Sequence, residues 1–123
     1  MPRRFLIWDL AADFIWPLFV VEGEKTRVPI GAMPGCARLS IDELVTEVRE
    51  AWELGVPAVA LFPALEDSLK NGKASESTNP DGLLPRAVRA LKEQVPGVAV
   101  ITDVAMDPYS SDGHDGVLRG GQI

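Results

Sequence analysis

The sequence predicts an α/β fold built on a parallel sheet, and three observations support this prediction. Three short, continuous apolar runs are separated by polar segments, as expected of strands that are buried on both faces. Both intervals between these runs contain apolar residues repeated at helical spacing. Polar and acidic residues cluster directly after the last apolar run, where α/β enzymes carry their chemistry.

The first apolar run, residues 14–21, is rich in β-branched and aromatic side chains. We predict a buried strand here, although Pro17 removes one backbone donor from the strand ladder. Residues 22–38 are rich in glycine, proline and charge and contain only one short apolar stretch, residues 28–30. We therefore expect a long loop with a small hairpin before the next regular element.

The clearest helix comes after this loop. Ser40 and Glu43 match a capping box, and apolar residues then recur at helical spacing up to Gly55, which ends the helix. The apolar stripe consists of Ile41, Leu44, Val45, Val48 and Trp52. Residues 58–62 form the second apolar run, which ends at Pro63 and predicts a second buried strand.

A polar stretch, residues 64–81, separates the second strand from the next helix. Its length fits an active-site loop, and a mobile surface loop is an equally good interpretation. A second amphipathic helix is predicted over residues 84–95, because Pro85 is tolerated in a first helical turn. Residues 98–102 form the third apolar run and predict a third buried strand, which leads directly into Asp103.

These units do not complete an α/β architecture. Three parallel strands with two helices leave sheet edges open, whereas a closed barrel needs eight strand–helix units and about 250 residues. Beyond the alternation of strands and helices, the 123 residues show no repeat and no linker-like segment. We therefore expect residues 1–123 to form a single portion of a larger α/β domain.

Composition argues against several classes of partner. The net charge of -6 and the pI near 4.7 argue against nucleic acid, because phosphate binding needs a basic surface. The single cysteine, Cys36, excludes a disulfide framework and a thiolate zinc site made from this chain, and it suits the reducing cytoplasm. Asp9 and Asp13 interrupt the first apolar residues, so residues 1–12 are interpreted as a short arm and not as a membrane span or signal peptide.

The acidic loop, defined as residues 103–116, carries the candidate chemistry. It contains Asp103, Asp107, Asp112 and Asp115 together with His114. Carboxylate oxygens at this density suit Mg²⁺ or a monovalent cation better than zinc. The alternative is a solvated turn in which Asp-Pro and Asp-Gly pairs shape the chain and cap the next segment. His114 on its own is a weak indication of a ligand or proton carrier.

The lysines argue against one kind of chemistry in this chain. Lys25, Lys70 and Lys73 fall in polar segments, and Lys92 lies on a predicted helix. None of them follows a buried strand, where desolvation can lower the pKa of a lysine enough for attack on a carbonyl. We therefore expect no Schiff-base lysine among these residues.

Five segments of the chain carry a family resemblance. They are W-P-L-F-V-V-E-G, P-I-G-A-M-P-G-C-A-R-L-S-I-D-E-L, L-G-V-P-A-V-A-L-F-P, N-P-D-G-L-L-P-R-A-V-R-A-L-K and I-T-D-V-A-M-D-P-Y-S-S-D-G-H-D-G. In order and approximate spacing, the chain from about Asp13 onward resembles porphobilinogen synthase, also called 5-aminolevulinate dehydratase. Ordered agreement over several segments is more specific than any single motif.

The resemblance implies the first three strand–helix units of a (β/α)8 TIM barrel, incomplete as given. It implies a lyase that condenses two molecules of 5-aminolevulinate to porphobilinogen with loss of water, in tetrapyrrole and heme biosynthesis. Family members hold each substrate as a Schiff base on lysines from later strands, so this chain alone is expected to be inactive. They also form octamers through an arm longer than residues 1–12, so the resemblance implies a homo-oligomer.

The resemblance also implies site residues. Asp103 matches an active-site aspartate, whose carboxylate would orient a substrate amino group or accept a proton. Ala105, Asp107 and Asp115 stand where the zinc-dependent branch has three cysteines, which implies the aspartate-type branch without that zinc. Asp107 and Asp115 then become candidate ligands of Mg²⁺ or K⁺, and a site without metal stays open. Asp112 stands where the family usually has histidine.

A second hypothesis belongs to a different class. A short α/β chain with open sheet edges can act as a non-catalytic binding or assembly module that pairs an edge strand with another chain. A discrete oligomer with cooperative unfolding would favour such a module. Aggregation or loose packing would favour a portion of a barrel.

Overall fold

A computed structural model describes residues 10–123 of the chain. Its strands are β1 (Ile15–Val20), β2 (Arg27–Pro29), β3 (Ala37–Leu39), β4 (Ala58–Pro63) and β5 (Ala99–Thr102), and its α-helices are α1 (Ile41–Glu53) and α2 (Leu83–Gln94). Most of the proposed arm, residues 1–9, lies outside the described residues, and a 3-10 turn at Ala11–Asp13 comes after it. Within the described range, neither helix has the length and hydropathy needed to cross a bilayer.

The five strands form one sheet in the order β2-β3-β1-β4-β5. Strand β2 is antiparallel to β3, and the other neighbouring pairs are parallel. The expected hairpin within residues 22–38 is confirmed as β2 and β3. Sequence reasoning did not predict that β3 also extends the parallel sheet, because three residues are too few to show an apolar run. Helix α1 therefore connects β3 to β4, and β1 lies between these two strands.

The core lies between one face of the sheet and the two helices, which contact each other. On this helix face, Leu18 and Val20 of β1 and Val59 and Leu61 of β4 are fully or almost fully buried and join one cluster with α1 and α2. Alternate side chains of each strand point to this face. Burying each such side chain contributes about 1.5–3 kcal/mol relative to exposing it, which makes this cluster the main source of stability.

The opposite face of the sheet, which we call the open face, has no covering element among residues 10–123. Ile15 at the start of β1 is 56% exposed and Ile101 of β5 is 43% exposed. The prediction that the first and third strands are buried on both faces is therefore wrong. An apolar run indicates that both faces favour burial, but in this chain helices cover only one of them.

Ser40 precedes α1 as predicted, but the predicted capping box with Glu43 is wrong. The Ser40 hydroxyl accepts a hydrogen bond from the backbone N–H of Thr26 (2.9 Å) and donates one to the Asp42 carboxylate (2.6 Å). The start of α1 is thereby fastened to the segment before β2. Trp52, predicted on the apolar stripe, is 41% exposed in the last turn of the helix.

Candidate active site

The parallel strands end at one edge of the sheet, which we call the carboxyl edge, and Asp103 lies there. Asp103 directly follows Thr102, the last residue of β5, which pairs with Leu61 of β4. Continuing this register by one residue brings Asp103 level with Phe62. Asp103 is exposed. Parallel α/β folds carry their reactive groups at this edge, so the position suits a group that acts on a ligand.

Asp115 supports a turn within the acidic loop. Its Oδ1 atom accepts hydrogen bonds from the backbone N–H groups of Met106 (2.5 Å) and Asp107 (3.0 Å). These donors lie at the start of the 3-10 turn Asp107–Tyr109. The structure therefore brings the Asp115 carboxylate to the backbone of residue 107 and gives Asp115 a structural role in the turn, although it caps the segment before it and not the following segment that the alternative named.

The acidic side chains do not gather into a larger cluster. Asp103, Asp107, Asp112 and Asp115 are all exposed. Across residues 10–123, no group of three or more His, Cys, Asp or Glu side chains is arranged to hold a metal ion. The Nε2 atom of His114 is buried and has no hydrogen-bond partner within the described part of the chain. The loop thus offers individual carboxylates and not a preformed cage.

The polar stretch, residues 64–81, packs against the acidic loop through Asn71. Its backbone N–H donates to the carbonyl of Tyr109 (3.3 Å), and its carbonyl accepts from the N–H of Ser111 (3.1 Å). The Asn71 side chain also accepts two backbone N–H groups of its own loop. This stretch therefore forms hydrogen-bonded structure beside the candidate site.

A cavity of about 670 Å³ lies between the acidic loop and α2. Asp103 and Tyr109 line it from the loop side, and Leu84 and Val88 line it from the helix. Burial, followed by the nearby charge of Glu76, raises the pKa of the Tyr109 hydroxyl. The surroundings of Tyr109 on this side of the loop are thus partly shielded from water.

A second cavity, of about 430 Å³, opens where β1 and β4 end. Arg38 and Lys70 line it together with Glu66 and Pro108. Sequence reasoning did not single out Arg38, because it lies in the segment predicted as a loop. The available signal was its position between two apolar residues, Ala37 and Leu39, which is the alternation of a short strand.

Comparison with known proteins decides the family. The family model described as delta-aminolevulinic acid dehydratase matches residues 9–123, including the whole acidic loop. The chain belongs to this family. The resemblance carried by the five segments is therefore confirmed.

Similar members of the delta-aminolevulinic acid dehydratase family are much longer than this chain. The chloroplastic protein of Selaginella martensii is 55% identical over 109 residues, which are 88% of this chain and 26% of that protein. The Bradyrhizobium diazoefficiens protein is 46% identical over 111 residues, which are 90% of this chain and 31% of that protein. The chain thus spans about a quarter to a third of the length of these relatives.

A solved structure shows what kind of fold this portion belongs to. The Toxoplasma gondii ME49 delta-aminolevulinic acid dehydratase (porphobilinogen synthase), in complex with the reaction product porphobilinogen, has a TM-score of 0.86 and is 54% identical. The match covers 90% of this chain and 31% of that one. The chain folds as a portion of a (β/α)8 barrel. Because helices form the outer ring of such a barrel, the open face corresponds to its interior.

Proposed function

We propose that this chain supplies the first strand–helix units of a porphobilinogen synthase, which condenses two molecules of 5-aminolevulinate to porphobilinogen with loss of water. The observation that carries the proposal is the family match, which extends through the acidic loop. The Toxoplasma gondii relative, crystallised with its product porphobilinogen, supports the choice of substrate.

In this proposal Asp103 is a catalytic residue that orients the substrate amino group or accepts a proton from it. A carboxylate at the carboxyl edge of a barrel lies within reach of a ligand in the interior. Within residues 10–123, Asp103 forms no salt bridge, so its charge is available to a substrate ammonium group. Its exposure also leaves it accessible to that group.

The covalent step is assigned to lysines outside these residues. The Lys92 ammonium donates to the carbonyl of Val98 (2.7 Å), and Lys70 pairs with Asp67 (2.9 Å). Lys25 and Lys73 are exposed. None of these four side chains lies in the desolvated pocket that attack on a substrate carbonyl requires. The chain alone is therefore proposed to be inactive.

We also propose the aspartate-type branch without catalytic zinc, since Ala105, Asp107 and Asp115 offer no thiolate. Oxygen donors of this kind suit Mg²⁺ or K⁺. However, Oδ1 of Asp115 already accepts two backbone N–H groups, and no third ligand joins the pair within residues 10–123. These residues do not fit a dedicated metal cage, so no step of the reaction is assigned to a metal.

A homo-oligomer and the cellular compartment belong to the same proposal. The plant relatives are named chloroplastic. The lone Cys36 suits a reducing compartment, which the cytoplasm provides. Light scattering of the purified chain and fractionation of cells that express it would test these two properties.

A chimera tests the proposed activity. Residues 10–123 replace the matching segment of the Toxoplasma gondii protein, and porphobilinogen formation from 5-aminolevulinate is measured. We expect the chimera to be active, and Asp103→Asn to lower kcat by about 100-fold or more. Asp81→Asn, at an exposed aspartate before α2, is the matched control and should leave kcat unchanged. A folded but inactive chimera would contradict the proposal and favour the assembly module.

A second experiment tests where the covalent step takes place. The isolated chain is mixed with 5-aminolevulinate, reduced with borohydride and analysed by mass spectrometry. We expect no covalent adduct. An adduct on any of the four lysines would overturn the assignment of the Schiff-base step to residues outside this chain.

A further inference from the structure

The sheet ends in two edge strands, β2 and β5, which differ in how they are protected against pairing with another chain. Strand β2 carries Arg27 and Pro29, and a charge and a proline both discourage the addition of a further strand. Strand β5 contains neither a charged residue nor a proline. Within residues 10–123 it pairs with β4 alone. Its other edge therefore offers unprotected backbone groups.

The backbone groups on the free edge of β5 follow from one hydrogen bond. The Ala99 N–H donates to the carbonyl of Pro57, so it points toward β4. Because backbone groups alternate in direction along a strand, those of Ile101 also point toward β4, and those of Val100 and Thr102 point away from it. The free edge thus presents N–H and C=O groups from alternate residues, which is the pattern that a further strand requires.

Space is available beside this edge. Helix α2 contacts β4 and β1, and the 670 Å³ cavity lies between α2 and the segment that begins at Thr102. On the open face, the Ile101 side chain is 43% exposed. Within the described part of the chain, neither face of the sheet therefore blocks the approach of another strand to β5.

We propose that two copies of the chain associate through the free edges of β5, with the two strands antiparallel. This interaction surface goes beyond the proposed function and does not depend on it. Val100 of each copy pairs with Thr102 of the other, and each pair exchanges two hydrogen bonds. Ile101 then lies opposite Ile101 of the second copy, with the two Cα atoms about 4.5 Å apart. The two isoleucine side chains cover each other on the open face.

The charges near the edge suit this antiparallel register. Asp103 of one copy lies opposite Ala99 of the other, next to Val98. The Val98 carbonyl accepts a hydrogen bond from the Lys92 ammonium (2.7 Å), so opposite charges of the two copies approach each other. The two Asp103 residues are about 13 Å apart along the paired strands, beyond the screening length of about 8 Å at physiological salt. The register thus brings unlike charges together and keeps like charges apart.

The proposed contact is small. In a complete barrel the next strand of the same chain occupies this edge, so self-association is expected of the 123-residue chain itself. A few backbone hydrogen bonds and one apolar pair place the contact at the weak end of protein interfaces. We therefore expect a dimer in reversible equilibrium with the monomer, populated at roughly 100 µM and above.

A proline on the free edge tests the hydrogen bonds. Thr102→Pro removes an N–H group that points away from β4, and edge strands tolerate proline at such positions. It removes half of the intermolecular hydrogen bonds, so the dissociation constant of the dimer should rise about tenfold or more. Sedimentation equilibrium over a range of protein concentrations measures it. Thr102→Val keeps the N–H group and the shape of the side chain, and this matched control should dimerise like the unmodified chain.

Opposite charges at residue 101 test the register. Ile101→Lys and Ile101→Glu each place like charges opposite one another, so each variant alone should remain monomeric. Mixed in equal amounts, they place a lysine opposite a glutamate and should form a heterodimer. Leu54→Lys and Leu54→Glu change a residue that is 77% exposed beyond the end of α1, and these controls should dimerise like the unmodified chain. Circular dichroism establishes that each variant is folded.

The possible results are distinct. A chain that stays monomeric at every concentration overturns the proposal. A dimer that persists unchanged in Ile101→Lys also overturns it, because that dimer must form through another surface. If Thr102→Pro does not fold, the charge variants decide. Two folded, monomeric variants that fail to associate when mixed overturn the antiparallel register, whereas association of the mixture alone supports it.

Discussion

The two faces of the sheet carry similar apolar side chains but differ in what covers them. On the helix face, Val59 and Leu61 are fully buried beneath α1 and α2. On the open face, Phe62 is only partly buried and Ile101 is 43% exposed. Adjacent residues of one strand therefore contribute very differently, because the hydrophobic free energy depends on the area removed from water and not on residue type.

The two faces of the sheet therefore have different roles in this chain. The helix face holds the buried cluster, and the open face corresponds to the barrel interior. Arg38 lies on the open face and Asp103 directly follows β5 at the carboxyl edge, and both are exposed, which removes the cost of burying an unpaired charge. Substitutions on the helix face should therefore destabilise the chain much more than substitutions on the open face.

The largest expected effect contrasts one residue from each face. Leu61→Ala should lower the free energy of unfolding by about 2–5 kcal/mol, because it leaves a cavity in the buried cluster. Ile101→Ala should cost less than about 1 kcal/mol, because nearly half of that side chain is already in water. Urea denaturation followed by circular dichroism measures both values.

Equal losses in the free energy of unfolding for Leu61→Ala and Ile101→Ala would contradict the difference in burial between the two faces. They would mean that the open face is covered in solution, for example by a second copy of the chain. Repeating the measurement over a range of protein concentrations distinguishes these cases, because stability that depends on association rises with concentration.

The next effect concerns packing between the end of α1 and the turn before β5. A Cβ atom at Gly97 would lie 2.5 Å from the Trp52 ring, so Gly97→Ala forces the ring to move. We expect a loss of about 1–3 kcal/mol in thermal unfolding, typical of overpacking. Gly31→Ala is the control, because its Cβ would meet nothing within 4 Å. An unchanged Gly97→Ala variant would show that Trp52 contributes no packing there.

The sequence predicted the elements well where the pattern is local. Both α-helices were predicted to within two residues of their observed ends, because helical spacing is repeated over three turns in each. The predicted burial of β5 was wrong because burial depends on which other elements cover a strand. That information is not contained in residues 99–102 themselves.

The candidate site was only partly predictable for the same reason. Asp103 could be placed at a strand end from the apolar run that precedes it. Arg38 could not be placed at the same edge of the sheet, because the two residues are 65 positions apart and their positions are related only through the order β3-β1-β4-β5. The cap formed by Asp115 also depends on a turn that the Asp-Gly and Asp-Pro pairs suggest but do not fix.

A smaller effect is expected at the hydrogen bonds that join the start of α1 to the segment before β2. Ser40→Ala removes the hydroxyl that accepts from Thr26 and donates to Asp42, and it leaves the Thr26 N–H without this partner. We expect a loss of about 1 kcal/mol in urea denaturation. Ser68→Ala, at an exposed serine with a long 3.5 Å contact, is the control and should be neutral. An equally neutral Ser40→Ala would mean that water replaces the hydroxyl.

The smallest effect is a pH dependence at the same contact. Hydrogen bonds from the Ser40 hydroxyl and then from the Lys25 N–H lower the pKa of the Asp42 carboxyl in the folded chain. The unfolded chain therefore binds the proton more readily, so this contribution is present above the unfolded pKa of about 3.9 and is lost as pH falls through the folded pKa. The loss should be small, because Asp42 is exposed and screened by solvent.

Asp42→Asn cannot titrate, so below about pH 4 its stability should fall less steeply with acidification than that of the unmodified chain. Ser40→Ala should flatten the same slope in part, because it removes the largest cause of the lowered pKa. Glu53→Gln, at an exposed acid in the last turn of α1, should keep the original slope. If Asp42→Asn and the unmodified chain lose stability in parallel from about pH 5 to about pH 2, the contact does not hold α1 in solution, and the helix face depends on its apolar cluster alone.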